Sequence, residues 1–80
     1  MKLTILAFGI AKDIFGSSKL EVEIAEGATV QDLKTKLESD FDALKRLKSY
    51  FIAVDEEYAD ENQELNPNNE IALIPPVSGG

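Results

Sequence analysis

Between Lys19 and Ile24 polar and apolar residues alternate without interruption: Leu20, Val22 and Ile24 on one side, Lys19, Glu21 and Glu23 on the other. A period of two marks a strand with one buried face. Met1 to Phe8 is also strand-like, but both of its sides are partly apolar. Leu3, Ile5 and Ala7 share one side, and Leu6 and Phe8 the other. A strand apolar on both sides belongs in the middle of a sheet. The segment Ile10–Phe15, closed by Gly16, predicts one or two helical turns between two strands that pair as a hairpin.

After Glu26-Gly27-Ala28 the period lengthens. Val30, Leu33, Leu37, Phe41 and Leu44 fall at helical spacing, with Lys34, Lys36, Glu38 and Asp40 on the opposite face. Thr29 is the expected cap, with Asp32 completing a short capping box. A break near Ser39-Asp40 predicts a second short helix through Leu47. Tyr50–Val54 reads as a third strand, which Asp55-Glu56-Glu57 turns toward a short segment at Tyr58-Ala59. Glu64–Pro67 predicts a brief helical turn, and Glu70–Ile74 the last strand, again apolar on both sides. The order β-β-α-β-β predicts an α+β domain of the ubiquitin-like β-grasp type. It has a mixed sheet, one main helix on one face, and the two chain-terminal strands in its middle. The expected core is Leu3 or Leu6, Ile5, Leu20, Val22, Val30, Leu33, Leu37 and Leu73. No second helix is available for the other face. There Leu6, Phe8 and either Leu73 or the Ala72/Ile74 pair are expected to form an exposed apolar patch, the usual mark of a docking surface.

Composition narrows the chemistry. Eighty residues make one small domain with a thin core and little room for a deep catalytic cavity. There is no cysteine and no histidine. That removes disulfides, thiolate nucleophiles, zinc-finger ligands and the commonest general base. Asp55-Glu56-Glu57 lacks the glycine turn and distal glutamate of a calcium loop, so no metal site is expected. The net charge of -7 opposes nucleic-acid binding, which requires Lys and Arg against phosphate. No apolar run approaches the ~20 residues of a membrane helix, and Met1–Leu6 is too short and too alternating for a signal peptide. The expected compartment is the cytoplasm, with no membrane partner and no catalysis by this chain alone.

The remaining candidate chemistry lies at the end of the chain. Residues 1–76 are expected to form the domain and residues 77–80 a flexible tail. Pro75 and Pro76 lack N–H donors, stop strand pairing and favour a stiff, extended exit. Beyond them the side chains shrink from Val77 through Ser78 to Gly79 and Gly80. A diglycine end has no Cβ and threads a narrow channel, leaving one reactive group, the terminal carboxylate. A carboxylate is a poor electrophile, and joining it to AMP makes an anhydride that sulfur can attack.

With these residues in view, the sequence resembles the ubiquitin-like sulfur carriers, and within them the small-subunit (MoaD-like) family of molybdopterin synthases. The resemblance runs from Lys2 to Gly80. Its strongest part is the ending Ala72-Leu73-Ile74-Pro75-Pro76-Val77-Ser78-Gly79-Gly80. Phe8–Gly16, Thr29–Leu33 and Ala53–Asp55 with Glu57-Tyr58 add to it. Lys12 and Asp55 depart from the pattern, where arginine and asparagine are common.

The resemblance implies a mechanism. A ubiquitin-activating-like adenylyltransferase uses ATP to adenylate Gly80, and a sulfurtransferase system converts it to a thiocarboxylate. The tail, with Gly79 needed for passage, then enters the synthase large subunit, in a heterotetramer. Sulfur passes there to a cyclic pyranopterin precursor of the molybdenum cofactor. It also implies that this chain binds no cofactor itself and that catalytic side chains belong to the large subunit; the uncovered sheet face beside the tail adds the expectation that Phe8, Ile74, Pro75, Pro76, Val77 and Ser78 meet that partner. The alternatives are a carrier for another pathway such as thiazole synthesis, a protein modifier conjugated through Gly80, and an interaction module with an inert tail. Pro75-Pro76 argues against the thiazole carrier.

Overall fold

Thr29 opens the main helix in a computed structural model that describes residues 1–47 and 49–76. The Asp32 N–H donates to Thr29 Oγ1 at 3.3 Å, and the Thr29 N–H donates to Asp32 Oδ2 at 2.9 Å. The reciprocal cap starts helix α2, Val30–Asp40. The segment 60–65 satisfies two more first-turn donors: the Val30 N–H reaches the Gln63 carbonyl at 2.9 Å and the Gln31 N–H reaches that of Glu61 at 3.0 Å.

Five strands form one sheet: β1 (Lys2–Ala7), β2 (Lys19–Glu23), β3 (Phe51–Val54), β4 (Glu57–Tyr58) and β5 (Ile71–Ile74). The order across the sheet is β2-β1-β5-β3-β4. As expected, β1 and β2 form an antiparallel hairpin, and the two chain-terminal strands lie side by side within the sheet, in parallel. The short helix α1, Ile10–Phe15, lies between β1 and β2 and ends on Gly16 in the left-handed region, at φ 76°. This is the β-grasp arrangement.

Strand parity sorts the side chains. Leu3, Ile5, Val22, Ile52, Val54, Ile71 and Leu73 point toward α2 and are buried with Val30, Leu33, Leu37 and Leu44. No polar or charged residue is buried among the described residues. Of the two options for the first strand, Leu3 is the core residue, and Leu6 lies on the other face. Leu20, on the edge strand β2, is only half-buried and packs against the margin of the core.

The helix break comes beside Ser39-Asp40 as expected, with α2 ending at Asp40, while two further expectations are corrected. Phe41 turns extended (φ -129°, ψ 90°) and stacks on Phe15 with ring centroids 4.8 Å apart, before a 3₁₀ helix over Asp42–Arg46. Glu64–Pro67 is not a helical turn. Glu64 bridges Thr29, and the Leu65 N–H bonds to the Ala28 carbonyl at 2.8 Å, which holds the segment extended against the start of α2. Finally, Glu57-Tyr58 pairs with β3 as a strand of its own, so the sequence of elements has a fifth strand.

Candidate functional site: the open sheet face and the root of the tail

The face away from α2 carries the residues of opposite parity. Leu6 stands beside Ala72 and Phe51 beside Ile74, while Ala53 lies between Ala72 and Tyr58. The open apolar patch is therefore built on the Ala72/Ile74 pair, with Leu73 in the core. Phe8 is 51% exposed, Phe51 49% and Tyr58 71%. Phe51 and Tyr58 stack with ring centroids 5.2 Å apart. Ala53 and Ala72, facing each other across β3 and β5, leave a depression between larger neighbours. The result is a groove of about 290 Å3 lined by Leu6, Phe8, Ala53, Glu56, Tyr58, Glu70, Ala72 and Ile74.

A tight turn brings Tyr58 back over this face. Asp55 and Glu56 both have positive φ, 52° and 71°, the pattern of a two-residue I′ hairpin. Asp55 tolerates the conformation and uses it. Its N–H donates to the Glu70 carbonyl, and its carboxylate accepts from the Glu70 N–H and from Asn69 Nδ2, each at 2.8 Å. One side chain thus ties the end of β3 to the start of β5. Asp55 is thus a working turn residue.

The root of the tail lies at the end of the parallel pair. Ala7 is opposite Leu73, so Phe8-Gly9 runs beside Ile74-Pro75. Gly9 has φ 55° and ψ -131°, and a Cβ there would come within 3.2 Å of Pro75 Cγ. Only glycine lets the backbone approach the proline this closely in this conformation. Pro75 and Pro76 are half-buried. Of the expected site residues, Phe8, Ile74 and Pro75 are brought together at one corner of the sheet. Val77, Ser78, Gly79 and Gly80 lie outside the described residues.

On the helix side a more polar groove of about 360 Å3 separates α2 from the strand β3 entry. The Tyr50 hydroxyl donates to the Glu38 carboxylate, and Lys34 Nζ lies 5.2 Å from the Tyr50 ring centroid and 3.5 Å from Glu61. Burial, and then the bond to Glu38, push the Tyr50 hydroxyl well above its ordinary range.

Sequence reasoning located Phe8 and Ile74 but missed Phe51, Ala53, Tyr58, Glu56 and Glu70. The parity of Phe51 and Ala53 was readable. The pairing of Tyr58 with Ala53 was not, because Asp-Glu is an unusual I′ turn.

The profile of the ThiS family matches residues 5–80. A molybdopterin synthase sulfur carrier subunit of Arabidopsis thaliana is 30% identical over 81 residues, covering 100% of this chain and 84% of its own. Among solved structures, SAMP1 from Haloferax volcanii superposes with a TM-score of 0.84 at 26% identity, over 100% of both chains. A chain of the complex of subunits 1 and 2 of the molybdopterin-converting factor from Helicobacter pylori does so at 0.70 and 26%, also over 100% of both.

Proposed function

The chain belongs to the ThiS family, and from that premise we propose that it is the sulfur carrier subunit of a molybdopterin synthase. The observation that carries the reading is likeness to such subunits along the whole chain, ending in Pro75-Pro76-Val77-Ser78-Gly79-Gly80. The large subunit of the synthase is the docking partner, a reading supported by the likeness to a chain of a two-subunit converting factor. The open face with Phe8 and Ile74 meets it, and the tail leaves from the corner where Gly9 holds Pro75.

The chemistry follows from the carboxylate. An oxygen of Gly80 attacks the α-phosphorus of ATP in the adenylyltransferase, and pyrophosphate leaves. The outer sulfur of a sulfurtransferase persulfide attacks the acyl carbon and expels AMP, and a second thiol then cleaves the S–S bond of the acyl disulfide, forming a disulfide and leaving the thiocarboxylate, so one carboxylate oxygen is exchanged for sulfur. Gly79 lets the end thread the partner's channel, and the thiocarboxylate yields its sulfur to a pyranopterin precursor inside the large subunit. The setting is the cytoplasm, and two carriers on a large-subunit dimer make the heterotetramer. In this division of labour the carrier supplies a folded handle and a reactive end, and its partners supply the catalytic side chains.

Intact-mass analysis tests the reading. After incubation with ATP, the adenylyltransferase and a sulfur source, the chain gains the mass difference between sulfur and oxygen, localised to Gly80. Deleting Gly80 abolishes the gain without lowering stability, and Gly79→Val slows transfer while keeping a carboxylate. An unmodified Gly80 under conditions that load another sulfur carrier refutes the proposal. Adducts joining Gly80 to lysines of other proteins would place the chain among the modifiers instead.

A further inference from the structure

The groove on the open face is more specific than an apolar contact requires. Its floor is the Ala53–Ala72 pair. Leu6, Phe8, Ile74 and the Tyr58 ring wall it, and Glu56 and Glu70 also line it. Among the described residues neither carboxylate has a Lys or Arg partner. Among the described residues the ion pairs use Glu61, Asp40 and Asp42, with Lys34, Lys36, Lys45 and Arg46. An apolar trough bearing two unneutralised carboxylates has the shape and charge complement of a long side chain with an apolar stem and a cationic head. The aromatic wall selects further. A planar guanidinium is weakly hydrated, stacks on an aromatic ring and presents a fork of donors to carboxylates, whereas an ammonium is a strongly hydrated point charge.

Glu56 supports the same occupant. Its φ of 71° is a position where hairpins ordinarily use glycine. Glycine would relieve the backbone and remove the carboxylate from the groove.

We infer that this groove is a specificity pocket for one arginine side chain of the docking partner. The stem lies over Ala53 and Ala72, and the guanidinium sits against Tyr58 between Glu56 and Glu70. The identity of the partner as the synthase large subunit rests on the function proposed above. The preference for arginine rests on the groove alone. The groove is continuous with Phe8 and Ile74, so the arginine would be read in the same encounter that delivers the tail.

Two measurements separate the two claims. In the first, the isotope-labelled chain is titrated with blocked arginine (N-acetyl-arginine-methylamide), and with blocked lysine and blocked norleucine as controls, while amide resonances are followed by NMR. Arginine should give saturable shifts at Ala53, Tyr58 and Ala72, larger than either control, and Glu56→Gln/Glu70→Gln should abolish them while leaving the rest of the spectrum in place. Shifts no larger than those from norleucine, or shifts that survive the double substitution, overturn the inference. In the second, affinity for the large subunit is measured for wild type and the double variant. The variant should bind about tenfold more weakly or worse, with a flatter salt dependence. Equal binding by both proteins overturns the inference and leaves the proposed function standing. Failure of wild type to bind overturns the proposed partner, and the titration with blocked arginine still decides the groove.

Discussion

Replacing Gly9 with alanine isolates the contact that seats the tail. Two costs are built into the position. The first is conformational: at φ 55° and ψ -131° an L-residue is strained by about 1–3 kcal/mol. The second is steric: the new Cβ would stand 3.2 Å from Pro75 Cγ, inside the ~3.5–4.0 Å of a relaxed carbon contact. The reduced freedom of the unfolded chain returns ~0.4–1 kcal/mol. The net expectation is a loss of about 1–2 kcal/mol, in a domain whose whole stability is on the order of 4–12 kcal/mol. Gly16→Ala supplies the control. Gly16 also has positive φ, 76°, but in the left-handed region that an L-residue adopts at lower cost, and nothing lies within 4 Å of its would-be Cβ, so it carries a smaller conformational cost and no clash. Urea titrations of the three proteins, with unchanged m-values, give the loss at each position. Gly9→Ala should fall below Gly16→Ala, and it alone should weaken large-subunit binding, because only it displaces Pro75. A loss under half a kcal/mol for Gly9→Ala, or equal losses with unaltered binding in both, would refute the argument that this glycine positions the root of the tail.

Leu37 is fully buried in the stripe of α2, and Leu37→Ala should cost ~2–5 kcal/mol in a denaturant titration; under half a kcal/mol would mean the stripe does not hold the helix to the sheet. Tyr50 gives a pH dependence of definite sign. Its hydroxyl has an ordinary value of 10.0 and is raised in the folded chain, so the folded state holds the proton longer than the unfolded state. The associated stability is fully present below the ordinary value and is lost as pH climbs above it. Urea midpoints at mildly and strongly alkaline pH should therefore fall further for wild type than for Tyr50→Phe, and parallel declines would remove Tyr50 from the account.

Much of this molecule was legible in the sequence because its elements differ in period. The alternation at Lys19–Ile24 and the stripe from Val30 to Leu44 are local signals, and each became the expected strand or helix. The two-sided apolarity of β1 and β5 correctly placed them inside the sheet. What escaped was set by tertiary pairing. Phe41 has the spacing of a helical core residue, but its ring finds Phe15, and the helix ends there. Glu64-Leu65 has no strong preference of its own and takes an extended form because Ala28 and Thr29 offer backbone partners. Choosing Leu3 over Leu6 required knowing which side faces α2. The site was legible to the same extent. Leu6, Phe8 and the Ala72/Ile74 pair stand out as apolar residues on an uncovered face, whereas Ala53 matters for being small, which only its placement opposite Ala72 reveals.

The position of β5 has a consequence for how the chain comes to exist. Ile5 must wait for Ile71, and the middle of the sheet is filled only when that late segment arrives. Closing so long a loop is entropically costly and slow, and the hairpin β1–β2 gains nothing central until it happens. During synthesis the early strands and α2 therefore emerge without the partner that completes their core. A chain interrupted before Ile71 has neither a finished sheet nor the open face that Ala72 and Ile74 help to build. Acquiring the fold and acquiring the strand that leads to residues 77–80 are therefore a single event.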